Sequence, residues 1–248
     1  MSRNLGHIVA TIEARMTSTR LPGKVLMPAL GRPMLELMIE RVRRVPSLRG
    51  IVVCTTTNAT DDPVVALCEK LGVGHWRGSE DDVLQRVLDG AKAHEVDTIV
   101  ELTGDCPLID PALIENVIAA YRDSEVDYCA NQLERCYPIG MDTQVFSTAV
   151  LDDVNRRTRD ADDHEHVSLY IYRHPELYGL KHVPAAPEHH FPKMRLTLDT
   201  PADYRLIDAV FTKLYPANPA FTLTDMLALF EREPSLLDLN AHIKQKTV

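Results

Sequence analysis

The sequence lacks an excess of basic residues. It has 27 Lys and Arg against 36 Asp and Glu, which gives a net charge of -9. Because proteins that bind nucleic acid usually present a basic surface, this balance argues against nucleic acid as a partner. No stretch approaches transmembrane length, and residues 1–8 carry one Arg without a long apolar run. We therefore expect a cytoplasmic protein with no membrane partner.

Cysteine is also scarce and irregularly spaced. The five cysteines are an odd number, and none of them forms a Cys-x-x-Cys pair. This excludes the spacing of a zinc site and argues against a disulfide framework, so we expect reduced thiols that are mostly buried. Internal repeats, low-complexity segments and interdomain linkers are missing as well, which favours a single domain over residues 1–248.

Apolar runs bounded by turn residues alternate with stretches of helical period, a pattern typical of an α/β fold with a mainly parallel sheet flanked by helices. The predicted strands are 8–14, 51–56, 98–102, 128–131, 142–146 and 194–198. The predicted helices are 34–44, 61–71, 81–94, 111–121, 149–157, 164–173, 201–214 and 223–233. Because the order is less regular after about residue 127, we expect a core of residues 1–125 and 190–248 and a smaller β-rich lobe of residues 126–189.

A cationic loop directly follows the first predicted strand. Residues 14–24 read A-R-M-T-S-T-R-L-P-G-K and place Arg15, Arg20, Lys24 and three hydroxyls together. A nucleoside triphosphate needs such donors, and a mononucleotide fold places its phosphates after the first strand. The alternative is a solvated basic loop. The loop is neither a Walker A loop nor a G-x-G-x-x-G loop.

Two carboxylates, Asp105 and Asp199, are predicted at the carboxyl ends of strands, where ligands bind in open α/β sheets. Mg²⁺ prefers one or two carboxylates together with phosphates and water, so this pair is a candidate metal site. Each residue also has a structural alternative as a helix N-cap, because Pro107 and Pro201 follow two positions later.

Five motifs together resemble one protein family. They are A-R-M-T-S-T-R-L-P-G-K (14–24), R-G-S-E-D-D-V-L-Q-R (77–86), T-G-D-C-P-L-I-D-P (103–111), E-H-V-S-L-Y-I-Y-R-H-P-E (165–176) and R-L-T-L-D-T-P-A-D-Y (195–204). The first resembles the signature of cytidylyltransferases that make CMP-activated sugar acids, including the 3-deoxy-manno-octulosonate (KDO) and acylneuraminate enzymes. The others resemble the spore coat polysaccharide biosynthesis protein F branch of that group.

The resemblance implies a GT-A-like α/β fold, CTP as donor, Mg²⁺ as cofactor and a homodimer joined through the smaller lobe. By position it implies that Lys24, Arg15 and Asp105 are catalytic and that Asp105 and Asp199 hold the metal. The implied nucleotide-binding residues are Ala14, Arg15, Ser18, Arg20, Lys24, Ser79, Arg86 and Asp105.

Binding of the acceptor is expected in the irregular region. The chain has Gln144 where the branch has Glu, which indicates a possible change of acceptor. The candidate acceptor-binding residues are Asn131, Tyr137, Asp142, Gln144, His164 and Glu165. Each of them has the alternative of being a solvated loop or helix-end residue.

The expected function is transfer of CMP from CTP to an acceptor such as a nonulosonic or KDO-like acid, with release of pyrophosphate. One alternative is a GT-A glycosyltransferase, although the D-x-D motif of those enzymes is missing, since Pro107 stands where the second Asp would fall. Another is a nucleotide-binding protein without turnover. The sequence specifies neither the acceptor nor a strict requirement for cytosine.

Overall fold

The computed structural model describes residues 3–245 and is built on a seven-stranded central sheet beside a short hairpin. The strands in this range are β1 (Ile8–Glu13), β2 (Pro28–Ala29), β3 (Arg32–Pro33), β4 (Gly50–Thr56), β5 (Gly74–Gly78), β6 (Thr98–Thr103), β7 (Tyr128–Ala130), β8 (Gln144–Ser147) and β9 (Leu180–His182). β2 and β3 form the hairpin.

The α-helices of the described range cover both faces of the sheet. They are α1 (Met34–Val42), α2 (Asp62–Leu71), α3 (Val83–Ala93), α4 (Pro111–Arg122), α5 (Thr148–Arg157), α6 (Ala161–Glu165), α7 (Leu169–Arg173), α8 (Pro201–Leu214), α9 (Leu223–Arg232) and α10 (Ser235–Asp238). None of the helices in this part of the chain is long and apolar enough to cross a membrane.

The strand order in the sheet is β5-β4-β1-β6-β8-β7-β9. β1 lies between β4 and β6 and is parallel to both, while β8 runs antiparallel to β6 and β7. The predicted α/β class with a mainly parallel, helix-flanked sheet is confirmed. Parallel strands place their carboxyl ends at one edge, so the residues after β1, β4, β5 and β6 meet there.

The central strands carry apolar side chains on both faces, and helices cover both faces. Alternate residues of β1 pack under α1, α2 and α4 on one face and under α3, α5 and α7 on the other. A strand covered on both faces is buried along its length, as β1 is from Ile8 to Ile12. A third cluster gathers α8 and α9 with the segment around Leu196 and Leu198.

Local sequence signals mark the end of α2 and the start of α8. Gly72, which has a φ of 62°, ends α2 in the left-handed conformation that glycine adopts without strain. Thr200 and Asp203 form a capping box at the start of α8, with Pro201 in its first turn. The five cysteines are free and buried, which confirms that prediction.

Several predicted elements were wrong. Residues 194–198 are not a strand, because apart from one bridge between Arg195 and Ile139 they bond to loops. The predicted helix 164–173 is two helices, because Val167 takes a φ of 46° and interrupts it. The short helix α10 follows the element expected to be last, and β5 was missed because it lacks an apolar run.

The strands of residues 126–189 continue the central sheet. β8 pairs with β6, β7 pairs with β8, and β9 forms the far edge. The rest of that region in the structure contains α5, α6 and α7. The division of the chain into a core and a smaller lobe stays a prediction.

Candidate active site

The loop of residues 14–24 is folded back on itself at the carboxyl end of β1. The carbonyl of Met16 accepts hydrogen bonds from the backbone N–H groups of Ser18 (3.0 Å) and Gly23 (2.9 Å). Gly23 has a φ of 72°, a left-handed conformation that turns the chain into the short 3₁₀ helix starting at Lys24. The loop therefore places Lys24 near Met16, at the beginning of the same loop.

Asp61 fastens this loop to the neighbouring strand. It stands at the start of α2, as predicted, but its side chain does not cap that helix. Instead the buried carboxylate accepts from the backbone N–H of Met16 (2.8 Å) and from the hydroxyls of Thr55 and Thr56 at the end of β4. These hydrogen bonds lower the pKa of Asp61 against the effect of burial, so the anchor is an ionised carboxylate.

Lys24 joins the two predicted metal ligands. Its Nζ atom lies 2.9 Å from Asp105 Oδ2 and 2.9 Å from Asp199 Oδ1. Burial alone would lower the pKa of Lys24, but the charges and hydrogen bonds of the two carboxylates raise it. Burial would likewise raise the pKa of Asp199, and Lys24 lowers it. Lys24 and Asp199 therefore meet as ions at the carboxyl edge of the sheet.

Two arginines complete the surroundings of Asp199. Arg20 Nη2 lies 3.0 Å from Asp199 Oδ1, and buried Arg195 donates to Asp199 Oδ2 (2.7 Å). Arg195 also donates from Nε to Asp203 Oδ1 (2.9 Å), which is held in turn by Asn240 (2.9 Å). Asp199 is therefore fixed from behind by Arg195, while Arg20 and Lys24 lie on its more exposed side.

Neither Asp105 nor Asp199 is a helix N-cap. Asp110 caps α4 and Thr200 caps α8. The structural alternative for both carboxylates is thus wrong. Asp105 lies two positions beyond the end of β6, at the carboxyl end of a strand as predicted, whereas Asp199 follows the irregular segment 194–198 rather than a strand.

The Asp105 and Asp199 pair fits a Mg²⁺ site. Their oxygens converge on one Nζ atom, so the geometry already accommodates a cation between them. Within residues 3–245 no group of three His, Cys, Asp or Glu residues could hold a metal. Mg²⁺ prefers one or two carboxylates completed by phosphates and water, so its binding at this pair stays a prediction.

Arg15 is held by a carboxylate that the sequence analysis missed. Its Nη1 atom lies 3.4 Å from Glu80 Oε1 and 3.3 Å from the Glu80 carbonyl. Glu80 also accepts from the hydroxyl of Thr17 and from Asn58 Nδ2 (2.5 Å). The only signal for Glu80 was its place in the 77–86 motif, because the strand before it, β5, was not predicted.

Arg86 supports this corner from within. It is almost fully buried on α3 and donates to the carbonyls of Ser79 and Glu80. Ser79 Oγ accepts from the backbone N–H of Asp82 (3.1 Å). The structure therefore places Ser79 and Arg86 beside Arg15, at the β5 side of the loop, and their role towards a base or ribose stays a prediction.

The remaining predicted nucleotide residues lie within the loop. Ala14 donates its N–H to the Cys54 carbonyl (3.2 Å), which continues the pairing of β1 with β4. Ser18 Oγ accepts from the N–H of Leu21 (3.3 Å) and shapes the turn. Both residues lie at the phosphate loop as expected, and their contact with nucleotide stays a prediction.

A pair of glutamates lies beneath the loop. Glu13 and Glu101 project from the adjacent strands β1 and β6, and among the described residues Glu13 Oε1 and Glu101 Oε2 are buried without a hydrogen-bond donor. Burial is the main cause that raises the pKa of Glu13, to about 7, and Arg86 opposes it. Burial and the charge of Glu13 raise the pKa of Glu101. The pair therefore retains a proton at a pH where exposed carboxyl groups have lost theirs.

The predicted acceptor residues are spread over three places. Asn131 is buried and braces a turn by donating to the Met141 carbonyl (2.7 Å), and Tyr137 is buried beneath residues 184–185. Asp142 is partly exposed and pairs with Arg135. Asp142 therefore lies at the surface of the turn, while Asn131 and Tyr137 are buried beneath it.

Gln144, His164 and Glu165 lie on the α3 side. Gln144 is buried and accepts from Tyr128 Oη (2.5 Å) and from Ser168, which connects it to the sheet interior. His164 Nδ1 contacts Asp82 Oδ1 at 2.7 Å, while Glu165 is exposed at the end of α6. The six candidates do not form one cluster, and a role for each towards the acceptor stays a prediction.

Comparison with known proteins fits this geometry. Residues 9–233 match the cytidylyltransferase family. The chain belongs to this family. As a cytidylyltransferase it is a nucleotidyltransferase, and the matched range contains the cationic loop, Asp105 and Asp199.

Individual relatives agree with the assignment. This cytidylyltransferase is 35% identical over 237 residues to the spore coat polysaccharide biosynthesis protein SpsF of Bacillus subtilis, covering 93% of this chain and 96% of SpsF. It is 27% identical over 208 residues to the 3-deoxy-manno-octulosonate cytidylyltransferase of Geobacter metallireducens, covering 73% of this chain and 80% of that enzyme.

A solved structure shares the whole architecture. It is a cytidylyltransferase from Leptospira borgpetersenii with a TM-score of 0.86 and 31% identity, covering 97% of this chain and 98% of that one.

Proposed function

We propose that this cytidylyltransferase transfers CMP from CTP to the hydroxyl of a sugar acid and releases pyrophosphate. The observation that carries the proposal is the single point where Lys24, Asp105 and Asp199 meet, at the end of a loop that also presents Arg15 and Arg20. Support comes from the names of relatives that act in polysaccharide biosynthesis and on 3-deoxy-manno-octulosonate.

In the proposed reaction an acceptor oxygen attacks the α-phosphorus of CTP in line. A new P–O bond forms, the bond to the bridging oxygen of the β-phosphate breaks, and pyrophosphate leaves with its electron pair while the hydroxyl proton passes to water. Such reactions need positioning and charge stabilisation rather than a covalent intermediate. Lys24 and Arg15 supply positive charge to the phosphoryl oxygens.

The cations of the loop are held by carboxylates in this structure. Arg15 contacts Glu80, Arg20 contacts Asp199, and Lys24 contacts both Asp105 and Asp199. Binding of a triphosphate would replace these carboxylates by phosphate oxygens around the same donors. Since Arg and Lys form strong charge-assisted bonds to phosphate, the exchange orients the triphosphate along the loop.

Asp105 and Asp199 would hold Mg²⁺ once Lys24 turns to the phosphates. A bound Mg²⁺ would neutralise charge on the α-phosphate and lower the pKa of the attacking hydroxyl. Arg195 would keep Asp199 ionised and oriented, because it donates to the carboxylate oxygen that Lys24 does not contact.

The homodimer implied by the resemblance is also part of the proposal. Light scattering of the purified protein measures its molar mass and so tests whether it is a dimer.

A pyrophosphate-release assay tests the proposal. The purified protein is incubated with CTP, with or without Mg²⁺, and with 3-deoxy-manno-octulosonate or N-acetylneuraminate as probe acceptors. We expect pyrophosphate and a CMP-linked product only when CTP, Mg²⁺ and an acid are all present.

Other outcomes separate the alternatives. Transfer of a sugar from a nucleotide sugar, without pyrophosphate from CTP, would identify a glycosyltransferase, which the missing second Asp after Asp105 disfavours. CTP binding without product from any sugar acid would identify a nucleotide-binding protein without turnover. Either result would contradict the proposed transfer.

A further inference from the structure

Arg135 is a cation at the edge of the proposed reaction centre that the nucleotide does not require. Its side chain is 38% exposed, and its Nη1 atom contacts Asp142 Oδ1. An arginine has five N–H donors in a planar fork, so one carboxylate oxygen leaves donors for a second anion. Of the other cations described at this centre, Arg15, Arg20 and Lys24 belong to the phosphate loop, and Arg195 is buried against Asp199 and Asp203.

The loop of residues 131–143, which carries Arg135 and Asp142, is braced by hydrogen bonds on both sides of Asp142. Asn131 Nδ2 donates to the Met141 carbonyl (2.7 Å), and Asn131 Oδ1 accepts from the N–H of Thr143 (2.8 Å). The Asn131 side chain therefore closes the turn from inside, and Asp142 projects from a fixed backbone.

This turn packs directly on the segment that leads to Asp199. Ile139 bonds to the residues on either side of Arg195: the N–H of Leu196 donates to the Ile139 carbonyl (2.8 Å), and the N–H of Ile139 donates to the Met194 carbonyl (2.9 Å). Gly140 has a φ of 102°, and a Cβ there would lie 2.6 Å from the Leu196 carbonyl oxygen. Only glycine permits this approach, which brings residues 139–142 against residues 194–197.

The same segment holds Asp105. The Asp105 carbonyl accepts from the N–H of Leu198 (2.7 Å) and from the hydroxyl of Thr197 (3.2 Å). Residues 195–199 thus lie between the turn and the loop after β6. Burial raises the pKa of Asp142, Arg135 opposes this, and the charge of Asp105 raises it further, so Asp142 and Asp105 lie near each other.

We propose that Arg135 binds the carboxylate of the acceptor and selects sugar acids over neutral sugars. The inference rests on the proposed function and names the residue for the acid group of its acceptor. Asp142 holds the guanidinium at the rim of the centre, and the donors that Asp142 leaves free take the two oxygens of the substrate carboxylate. The acceptor hydroxyl then lies between this fork and the α-phosphate near Asp105 and Lys24.

The experiment compares Arg135→Ala and Arg135→Lys with the wild type. The probes are 3-deoxy-manno-octulosonate and the same sugar with its carboxylate reduced to an alcohol. Arg156→Ala is the matched control, because Arg156 is an exposed arginine on α5 that also pairs with aspartates. Steady-state kinetics give KM and kcat for the acceptor and for CTP.

We expect Arg135→Ala to raise the acceptor KM by about 10- to 100-fold, because a hydrogen bond to a charged group contributes about 1.5–3 kcal/mol. The KM for CTP stays within about twofold, and Arg135→Lys recovers part of the acceptor affinity as a point charge. Arg135→Ala also loses most of the preference of the wild type for the acid over the alcohol. Arg156→Ala behaves as the wild type.

Two outcomes overturn the inference and differ from each other. If the wild type turns over the acid and Arg135→Ala keeps its acceptor KM and its preference, Arg135 is not the carboxylate-binding residue while the proposed function stands. If the wild type makes no product from either probe or from N-acetylneuraminate, the proposed function fails and the inference fails with it.

Discussion

Lys24 has a structural role in this structure and a catalytic role in the proposed reaction. Its ammonium group holds Asp105 and Asp199 together in this structure, and in the proposed reaction it turns to the phosphates. With a 13% exposed side chain between two carboxylates, it is a structural ion pair as well as a proposed catalytic group. Kinetics and stability therefore have to be measured on the same variant.

Removing the ammonium group of Lys24 should affect transfer far more than binding of the acceptor. We expect Lys24→Ala to lower kcat/KM for CTP by about 100- to 1,000-fold, as the loss of one oxyanion donor does in other enzymes. Pyrophosphate release measures this, with Lys92→Ala as control, since Lys92 is an exposed lysine that pairs with Asp152. A Lys24→Ala enzyme that turns over CTP as fast as the wild type would remove Lys24 from the mechanism.

Glu13 should make stability depend on pH. Its pKa is about 7 in the folded protein, above the ordinary 4.5. The folded state therefore holds a proton that the unfolded chain has released, and stability falls as pH rises from about 4.5 through 7. The charged groups that face Glu13 are Glu101, Arg86, Asp105 and Arg15. Arg86 lowers the pKa of Glu13 and so limits the loss of stability at high pH.

The change Glu13→Gln tests this, because glutamine resembles the protonated acid. We expect the variant to be more stable than the wild type at pH 8, by about 1–3 kcal/mol, and to match it near pH 4. Urea unfolding at the two pH values measures the difference, with exposed Glu69→Gln as control. An equal effect of Glu13→Gln at both pH values would mean that Glu13 does not titrate on unfolding.

At the scale of elements, the turn 139–142 and the segment 194–199 act as one unit. Neither is a regular strand, and they are joined by the bridge between Ile139 and Arg195. Gly140 is required where they touch, because both its φ and the nearby Leu196 carbonyl exclude a side chain. The position of Asp199 depends on this contact.

Two glycine variants separate backbone strain from collision. Gly140 and Gly72 both have positive φ, but a Cβ at Gly72 meets nothing within 4 Å. We expect Gly72→Ala to cost about 1 kcal/mol for the left-handed conformation alone, and Gly140→Ala to cost at least about 2 kcal/mol more. Urea unfolding measures both. Equal losses would show that residues 194–199 yield to the added methyl group, and that the unit is less rigid than described.

At the scale of the whole molecule, the sheet brings together residues that are far apart in the chain. Lys24 lies 81 positions from Asp105 and 175 from Asp199, and all three meet at one edge. A ligand that bridges the loops after β1 and β6 and the segment before α8 would therefore stabilise the entire fold. Binding and global unfolding should be linked.

Thermal unfolding with nucleotides measures this link. We expect CTP with Mg²⁺, at 100 times its dissociation constant, to add about 2.7 kcal/mol of stability, which is about 5–10 °C for a chain of this size. ATP, GTP and UTP at the same concentration should give smaller shifts. Equal shifts with all four would indicate a triphosphate site that does not select cytosine.

Local sequence patterns determined most of the elements. The apolar residues of β1, the helical spacing of α1, Gly72 at the end of α2 and Pro201 in the first turn of α8 all follow from short-range chemistry, which the chain order displays directly. The cationic loop and the strand-end position of Asp105 were predicted for the same reason. Five motifs in order also sufficed for the family.

Only the tertiary structure decided which charges meet. Glu80 was missed because β5, a half-buried edge strand without an apolar run, leaves no periodic signal before it. The interruption at Val167 and the irregular backbone of residues 194–198 depend on long-range packing, which no local window contains. The sequence by itself therefore determined the fold class and the cationic loop of residues 14–24. Long-range contacts decided that Lys24 lies between Asp105 and Asp199 and that the turn 139–142 packs against residues 194–197, because such distances depend on the folding of the whole chain.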